Sequence, residues 1–174
     1  MDRFHAAVLD VADGRLDPAA ALDFVSDPGF GGFAMFVGRV RDLNHGRTVA
    51  GVSYDMFEPL ALNGFRAICS DIEGRFGPKV RLYVAHAKGR LAVGDPAVVV
   101  AAGTPHRDEA FRACRELIER VKHTSPIWKQ EHYEDGDSAW SEGCSLCVDG
   151  RGQAGDAAAG EGGGHGTPAG QGRR

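Results

Sequence analysis

The sequence predicts an α+β fold in which hairpin-linked antiparallel strands accompany two main amphipathic helices. Three observations predict it. Two stretches repeat apolar residues at helical spacing. The strand-like stretches are short, with apolar residues alternating or continuous. Turn signals, rather than regularly interposed helices, separate most of those strands.

Asp17-Pro18 offers an N-cap with proline at the first helical position, so residues 19–25 are expected as a short helix. Residues 33–37 read as a strand continuing toward Val40. Asn44-His-Gly46 is a turn signal, and residues 49–57 read as the returning strand, with Val52, Tyr54 and Met56 on one face. The two strands are expected to form a hairpin carrying Arg39 and Arg41 near its tip.

Pro59 opens the first main helix. Leu62, Phe65, Ile68, Cys69, Ile72 and Phe76 make its apolar stripe, and Gly77-Pro78 ends it. Val80, Leu82 and Val84 alternate as a strand. After the Gly94-Asp-Pro96 turn, residues 97–102 are continuously apolar, as a central strand requires. The second main helix spans about 107–122, burying Phe111, Cys114, Leu117, Ile118 and Val121, with Thr104 or Asp108 as its cap. Pro126 stops it. Residues 127–133 form a last clear strand, and Glu134-Asp-Gly-Asp137 turns the chain before Trp140.

The 174 residues suffice for one domain with a substantial core, assigned to 1–148. From 149 to 174, glycine and alanine alternate with a few charges, which predicts a disordered tail. The composition, 43% hydrophobic and 25% charged, is that of a globular protein. A formal charge of −4 supplies no overall field for nucleic acid or an anionic membrane, so cationic clusters must act locally. There is no membrane-length apolar run and no signal-peptide pattern at the N-terminus, so a cytoplasmic, reducing setting is expected.

Cys69 and Cys114 fall on apolar helical positions and read as core packing. Cys144-Ser-Leu-Cys147 has metal or redox spacing. It lacks a second ligand pair and stands at the edge of the glycine-rich tail, so it is given no function. No metal and no cofactor is expected.

The chemistry-bearing residues concentrate in two places. Lys122-His-Thr-Ser-Pro-Ile-Trp-Lys129 sets two lysines on either side of a helix break, and His106-Arg107 opens the helix leading into it. A helix start suits an anion, to which these two side chains add. Taken alone, His106 and Arg107 make an ordinary surface turn, and Lys122 an ordinary last-turn lysine. Lys129 shares a strand face with Ile127, Glu131 and Tyr133, opposite Trp128, Gln130 and His132. Burial there would favour its neutral form, a base or nucleophile, whereas a pair with Glu131 would hold it charged. Arg39 and Arg41 offer planar forks for phosphate, or simply a charged sheet edge. His86 reads as a satisfied core histidine.

Taken in order, Phe36-Val-Gly-Arg-Val-Arg41, Tyr54-Asp-Met-Phe-Glu58, His86 with Gly89 and Gly94-Asp95, His106-Arg107, and residues 122–129 followed by Glu131 resemble the family of molybdopterin synthase large, catalytic subunits. The resemblance runs over about residues 31–140, with the earlier segment matching poorly. It implies an α/β-hammerhead type of α+β fold and a central homodimer. A small ubiquitin-like sulfur carrier would dock on each protomer, giving a heterotetramer. The carrier's C-terminal Gly-Gly thiocarboxylate would sulfurate cyclic pyranopterin monophosphate, and two transfers would make the dithiolene of molybdopterin. On this pattern Lys122 and Lys129 match the active-site lysines, and Arg41, His106 and Arg107 match positions lining an anionic pocket. The rival reading is a non-catalytic module that binds a phosphate ligand or a ubiquitin-like tail through the same cations.

Overall fold

The computed structural model describes residues 2–140. Its elements, in chain order, are β1 (Phe4–Asp10), α1 (Pro18–Val25), β2 (Gly32–Arg39), β3 (Leu43–Asn44), β4 (Arg47–Met56), α2 (Glu58–Phe76), β5 (Arg81–Leu91), β6 (Pro96–Thr104), α3 (Arg107–Thr124), β7 (Ile127–Tyr133) and β8 (Ser138–Trp140). The strands join in the order β2-β6-β5-β4-β7-β8, with β1 added on β5 and β3 on β4. Every pair is antiparallel except β1 with β5. This is the expected α+β class, of the α/β-hammerhead type.

The long strand β5 joins two parts of the sheet. Residues 82–88 pair with β1, and Gly89, Arg90 and Leu91 pair with β4. The change of partner falls at Gly89, whose φ is +105° and where a Cβ would lie 2.6 Å from Val11 Cγ2. Only glycine fits both demands.

β6 is buried at every position after Pro96, as its uninterrupted apolar sequence requires. α3 lies over β2 and β6, where the Cys114 thiol reaches the Val100 carbonyl at 3.9 Å. α1 also packs against β6, so closely that a Cβ on Gly103 would stand 2.1 Å from the Val25 carbonyl oxygen. The stripe of α2 buries Phe65, Ile68, Cys69 and Ile72, with Leu62 and Phe76 partly covered. Burial pushes the Cys69 thiol up to about 12 and that of Cys114 to about 11, so both are packing groups rather than nucleophiles. No helix among the described residues is long and apolar enough to cross a membrane.

The structure corrects four expectations. β2 does not form a hairpin with β4; it pairs with β6 across the sheet edge. The turn at His45 (φ +48°) and Gly46 (φ +76°) instead joins β4 to the two-residue β3, as two successive left-handed positions allow. Phe111 is 64% exposed rather than buried. His106, and neither Thr104 nor Asp108, is the cap residue of α3, with the Thr104 hydroxyl donating instead to the His106 carbonyl at 2.7 Å. Residues 4–10, given no element from sequence, form β1. Cys144, Cys147 and the predicted tail lie outside the described residues.

Candidate active site

A cavity of about 460 Å³ opens between the C-terminal half of β2, the strands β4–β7 and the last turns of α3. Its polar lining side chains are Arg39, Arg41, Tyr54, His86, Lys122 and Lys129, against an apolar wall that includes Phe36, Val98, Ile118 and Val121. Lys122, Lys129 and Arg39 each reach it for a local reason. α3 ends at Ser125, ahead of Pro126, which leaves Lys122 in its last turn. The Lys122 ammonium stands 5.5 Å from the centroid of the Phe36 ring, within cation–π range. Lys129 lies opposite Tyr54 in the β4–β7 ladder, so the two side chains share a face. A register shift between Gly38 and Arg39 redirects the end of β2, where Arg39 Nε donates to the Gly94 carbonyl at 2.7 Å.

Lys129 is held by a buried carboxylate. Its Nζ donates to Glu131 Oε1 at 2.5 Å. Glu131 Oε2 accepts from Asn44 Nδ2 at 2.5 Å and from the Tyr133 hydroxyl at 2.7 Å. Asn44 Oδ1 in turn accepts from Arg41 at 3.3 Å. Burial alone would raise the Glu131 carboxyl, but the hydrogen bonds from Lys129, Tyr133 and Asn44 outweigh it and hold the group below its ordinary value. Of the two states the sequence left open for Lys129, the structure holds the ion pair.

His86 is the most enclosed polar group in the cavity, 1% exposed. Its Nδ1 lies 2.8 Å from the Ala87 carbonyl oxygen, and its ring meets Tyr54 edge-on at 4.9 Å. Burial lowers the imidazole to about 4, so it is neutral at pH 7. The expectation of a satisfied core histidine captured its burial but not its place in the cavity lining.

The structure thus gathers Arg41, Lys122 and Lys129. It does not bring His106 and Arg107 to them within one chain. Those residues are exposed at the far end of α3, beside the acidic Asp108 and Glu109 of its first turn. Fifteen residues of helix separate Arg107 from Lys122, roughly 22 Å at 1.5 Å per residue. They are fixed where β2 begins: Gly31 N donates to the Pro105 carbonyl at 3.0 Å, and a Cβ on Gly32 would stand 2.9 Å from Arg107 Cα. Sequence reasoning left Glu131, Tyr54 and Asn44 out of the site. Alternation placed Glu131 on the Lys129 face, but its partner Asn44 is 87 positions away and carries no local signal.

A cluster of cations with one buried, neutral histidine suits a ligand carrying anionic groups and a polar ring. The MoaE protein family matches residues 11–124, which extends the similarity N-terminally beyond residue 31 to take in α1. A molybdopterin synthase catalytic subunit from Synechococcus elongatus is 50% identical over 133 residues, covering 76% of this chain and 81% of the relative. The crystal structure of molybdopterin synthase from Staphylococcus aureus superposes with a TM-score of 0.70 at 30% identity, covering 80% of this chain and 97% of the other. A complex of subunits 1 and 2 of the molybdopterin-converting factor from Helicobacter pylori includes a chain of the same fold, with a TM-score of 0.64 at 23% identity, covering 81% and 91%. The chain belongs to the MoaE protein family and is a molybdopterin synthase catalytic subunit, an enzyme of molybdenum cofactor biosynthesis.

Proposed function

We propose that the cavity is where the C-terminal thiocarboxylate of a small ubiquitin-like carrier delivers sulfur to cyclic pyranopterin monophosphate, with Lys122 and Lys129 as the catalytic pair and Arg41 as a substrate-binding cation. The observation that carries this is the convergence of Arg39, Arg41, Lys122 and Lys129 on one cavity in a chain of net charge −4. Both reactants are anions. Fixed cations reduce their repulsion and stabilise charge that develops as sulfur transfers.

Lys122 stands at a junction. A second, more apolar groove of about 350 Å³ runs between β2 and α3, past Met35, Phe111 and Cys114, and it shares Phe36, Ile118 and Lys122 with the cavity. An extended carrier tail laid along this groove ends at Lys122, while Lys129 stands beside Tyr54 and His86 within the cavity. Lys122 therefore takes the thiocarboxylate and the transferring sulfur, and Lys129 works at the pterin. The thiocarboxylate sulfur bonds to a side-chain carbon of the pterin as a thioester while that carbon's bond to a cyclic-phosphate oxygen breaks, so the ring opens and the oxygen leaves with the phosphate. Water then cleaves the acyl–sulfur bond, releasing the carrier's carboxylate and leaving sulfur on the product. A lysine supplies or removes protons as the cyclic phosphate opens and the thioester is hydrolysed.

The resemblance to the family also assigns His106 and Arg107 to the pocket, and one chain holds Arg107 roughly 22 Å from Lys122. A homodimer in which each copy lends these residues to the other's cavity satisfies that assignment. With a carrier on each protomer the assembly is a heterotetramer, in keeping with the two-subunit Helicobacter pylori complex that includes this fold.

The test replaces Lys122 and Lys129 separately by alanine and measures dithiolene formation with thiocarboxylated carrier. Each variant is expected to lose at least a hundredfold in rate. Undiminished product from both would contradict the assignment and leave a module that only binds.

A further inference from the structure

We propose that His86 is a substrate-specificity residue: its Nε2 accepts a hydrogen bond from an N–H or O–H donor on the ring portion of the substrate, and so orients that ring in the cavity. The proposal rests on the cavity being the sulfur-transfer site.

The tautomer follows from one contact. His86 Nδ1 lies 2.8 Å from the Ala87 carbonyl oxygen. A carbonyl oxygen only accepts, so Nδ1 carries the proton and the neutral ring presents Nε2 as an acceptor. Tyr54, edge-on at 75°, fixes the plane of the imidazole. Neutrality at working pH comes from burial, which holds the group near 4. The ring therefore lines the cavity as an oriented, uncharged acceptor.

What makes this acceptor consequential is the rest of the lining. Arg39, Arg41, Lys122 and Lys129 can only donate. The Tyr54 hydroxyl donates or accepts. His86 is the lining side chain committed to accepting. A ligand with a phosphate at one end and ring donors at the other is then bound in one direction. The phosphate goes to the cations, which would repel nothing on it, and the donors turn to His86, because a donor aimed at an ammonium or guanidinium finds no partner. A pterin carries amino and ring N–H donors of this kind. A buried donor left unpaired gives up its hydrogen bond to water and gains none in return, which selects between orientations.

The test uses the complete two-subunit enzyme. His86→Phe keeps a ring of similar size but cannot accept. Its KM for cyclic pyranopterin monophosphate is expected to rise at least tenfold, with the KM for carrier unchanged. His86→Gln, whose amide oxygen can accept, is expected to recover part of the loss. In the unsubstituted enzyme, the ¹⁵N imidazole spectrum should contain one Nδ1–H tautomer signal, absent from His86→Phe, whose Nε2 resonance moves when the substrate is added. A folded His86→Phe enzyme with KM within twofold of the parent would overturn the proposal. If His86→Phe does not fold, the spectrum of the parent decides: an Nε2 resonance unmoved at saturating substrate would equally overturn it. Failure of the underlying reading looks different, because the unsubstituted enzyme would then form no dithiolene at all.

Discussion

The ammonium of Lys129 and the carboxylate of Glu131 stand 2.5 Å apart on the same face of β7, with their side chains only 17% and 7% exposed. The pair is anchored by Asn44 and Tyr133, both of which donate to the second carboxylate oxygen. Glu131 is therefore the group that positions a proposed catalytic lysine. Glu131→Gln must turn its NH₂ toward one of these donors and leave it unsatisfied. The expected cost is about 1–3 kcal/mol of stability, a fall in melting temperature of roughly 2–4 °C for each kcal/mol. Dithiolene formation should drop at least tenfold as Lys129 loses its fixed position. Differential scanning fluorimetry and the product assay read the two effects.

Lys122 and Lys129 should be alike in activity but not in stability. Lys122→Ala gives up, among the contacts of a half-buried side chain, a cation–π contact with Phe36 worth about 0.5–1 kcal/mol. Lys129→Ala removes the charge that neutralises a buried carboxylate, and about 1–3 kcal/mol is expected to go with it. Chemical denaturation of both variants beside the parent should rank them in that order. Equal stabilities would mean that the Lys129–Glu131 pair does not hold this face together.

The separation of Arg107 from Lys122 along α3 makes the homodimer testable by complementation. Lys122→Ala and Arg107→Ala chains should each be inactive alone. Mixed and re-associated, half of the dimers combine the two, and in each of these one site has both residues intact. Recovery of about a quarter of the parent activity is expected. Sites built within one chain would recover none.

His86 should give the fold an acid-side weakness. Its imidazole titrates near 4 in the folded chain, against an ordinary value of 6.5. Between these values the unfolded chain binds the proton and the folded chain refuses it, so stability is complete above about pH 6.5 and drains away as the pH falls toward 4. The loss is on the order of 3 kcal/mol. Glu131 shifts in the same sense, held below its ordinary 4.5, so its contribution disappears at lower pH than that of His86. Urea midpoints measured from pH 7 to pH 4 should fall for the parent and stay flatter over this window for His86→Phe.

Local patterns carried much of the architecture. The stripe of α2, the continuous burial of β6 and the facing of Lys129, Glu131 and Tyr133 follow from periods of 3.6 and 2, which are properties of neighbouring residues. The partner of β2 was not legible, because pairing with β6 joins segments some sixty residues apart, and the nearest turn signal belongs to the β3–β4 hairpin. Phe111 fits the apolar period of α3 but stands 64% exposed, along the groove beside Met35. In the site, Arg41, Lys122 and Lys129 could be named from sequence. The reach of Asn44 to Glu131 could not, since a contact across 87 positions depends on the folded sheet. That His106 and Arg107 stand apart from the lysines follows from helix length alone, once α3 is taken as continuous from Arg107 to Thr124.

Sulfur transfer in the cavity of Lys122 and Lys129 can be measured in the complete reaction. The most direct measurement mixes the purified chain with thiocarboxylated carrier and cyclic pyranopterin monophosphate and quantifies dithiolene product, with an authentic synthase run in parallel. Product is expected from this chain, dependent on the thiocarboxylate and lost in the Lys122→Ala and Lys129→Ala variants. Product from the authentic synthase and none from this chain would contradict it.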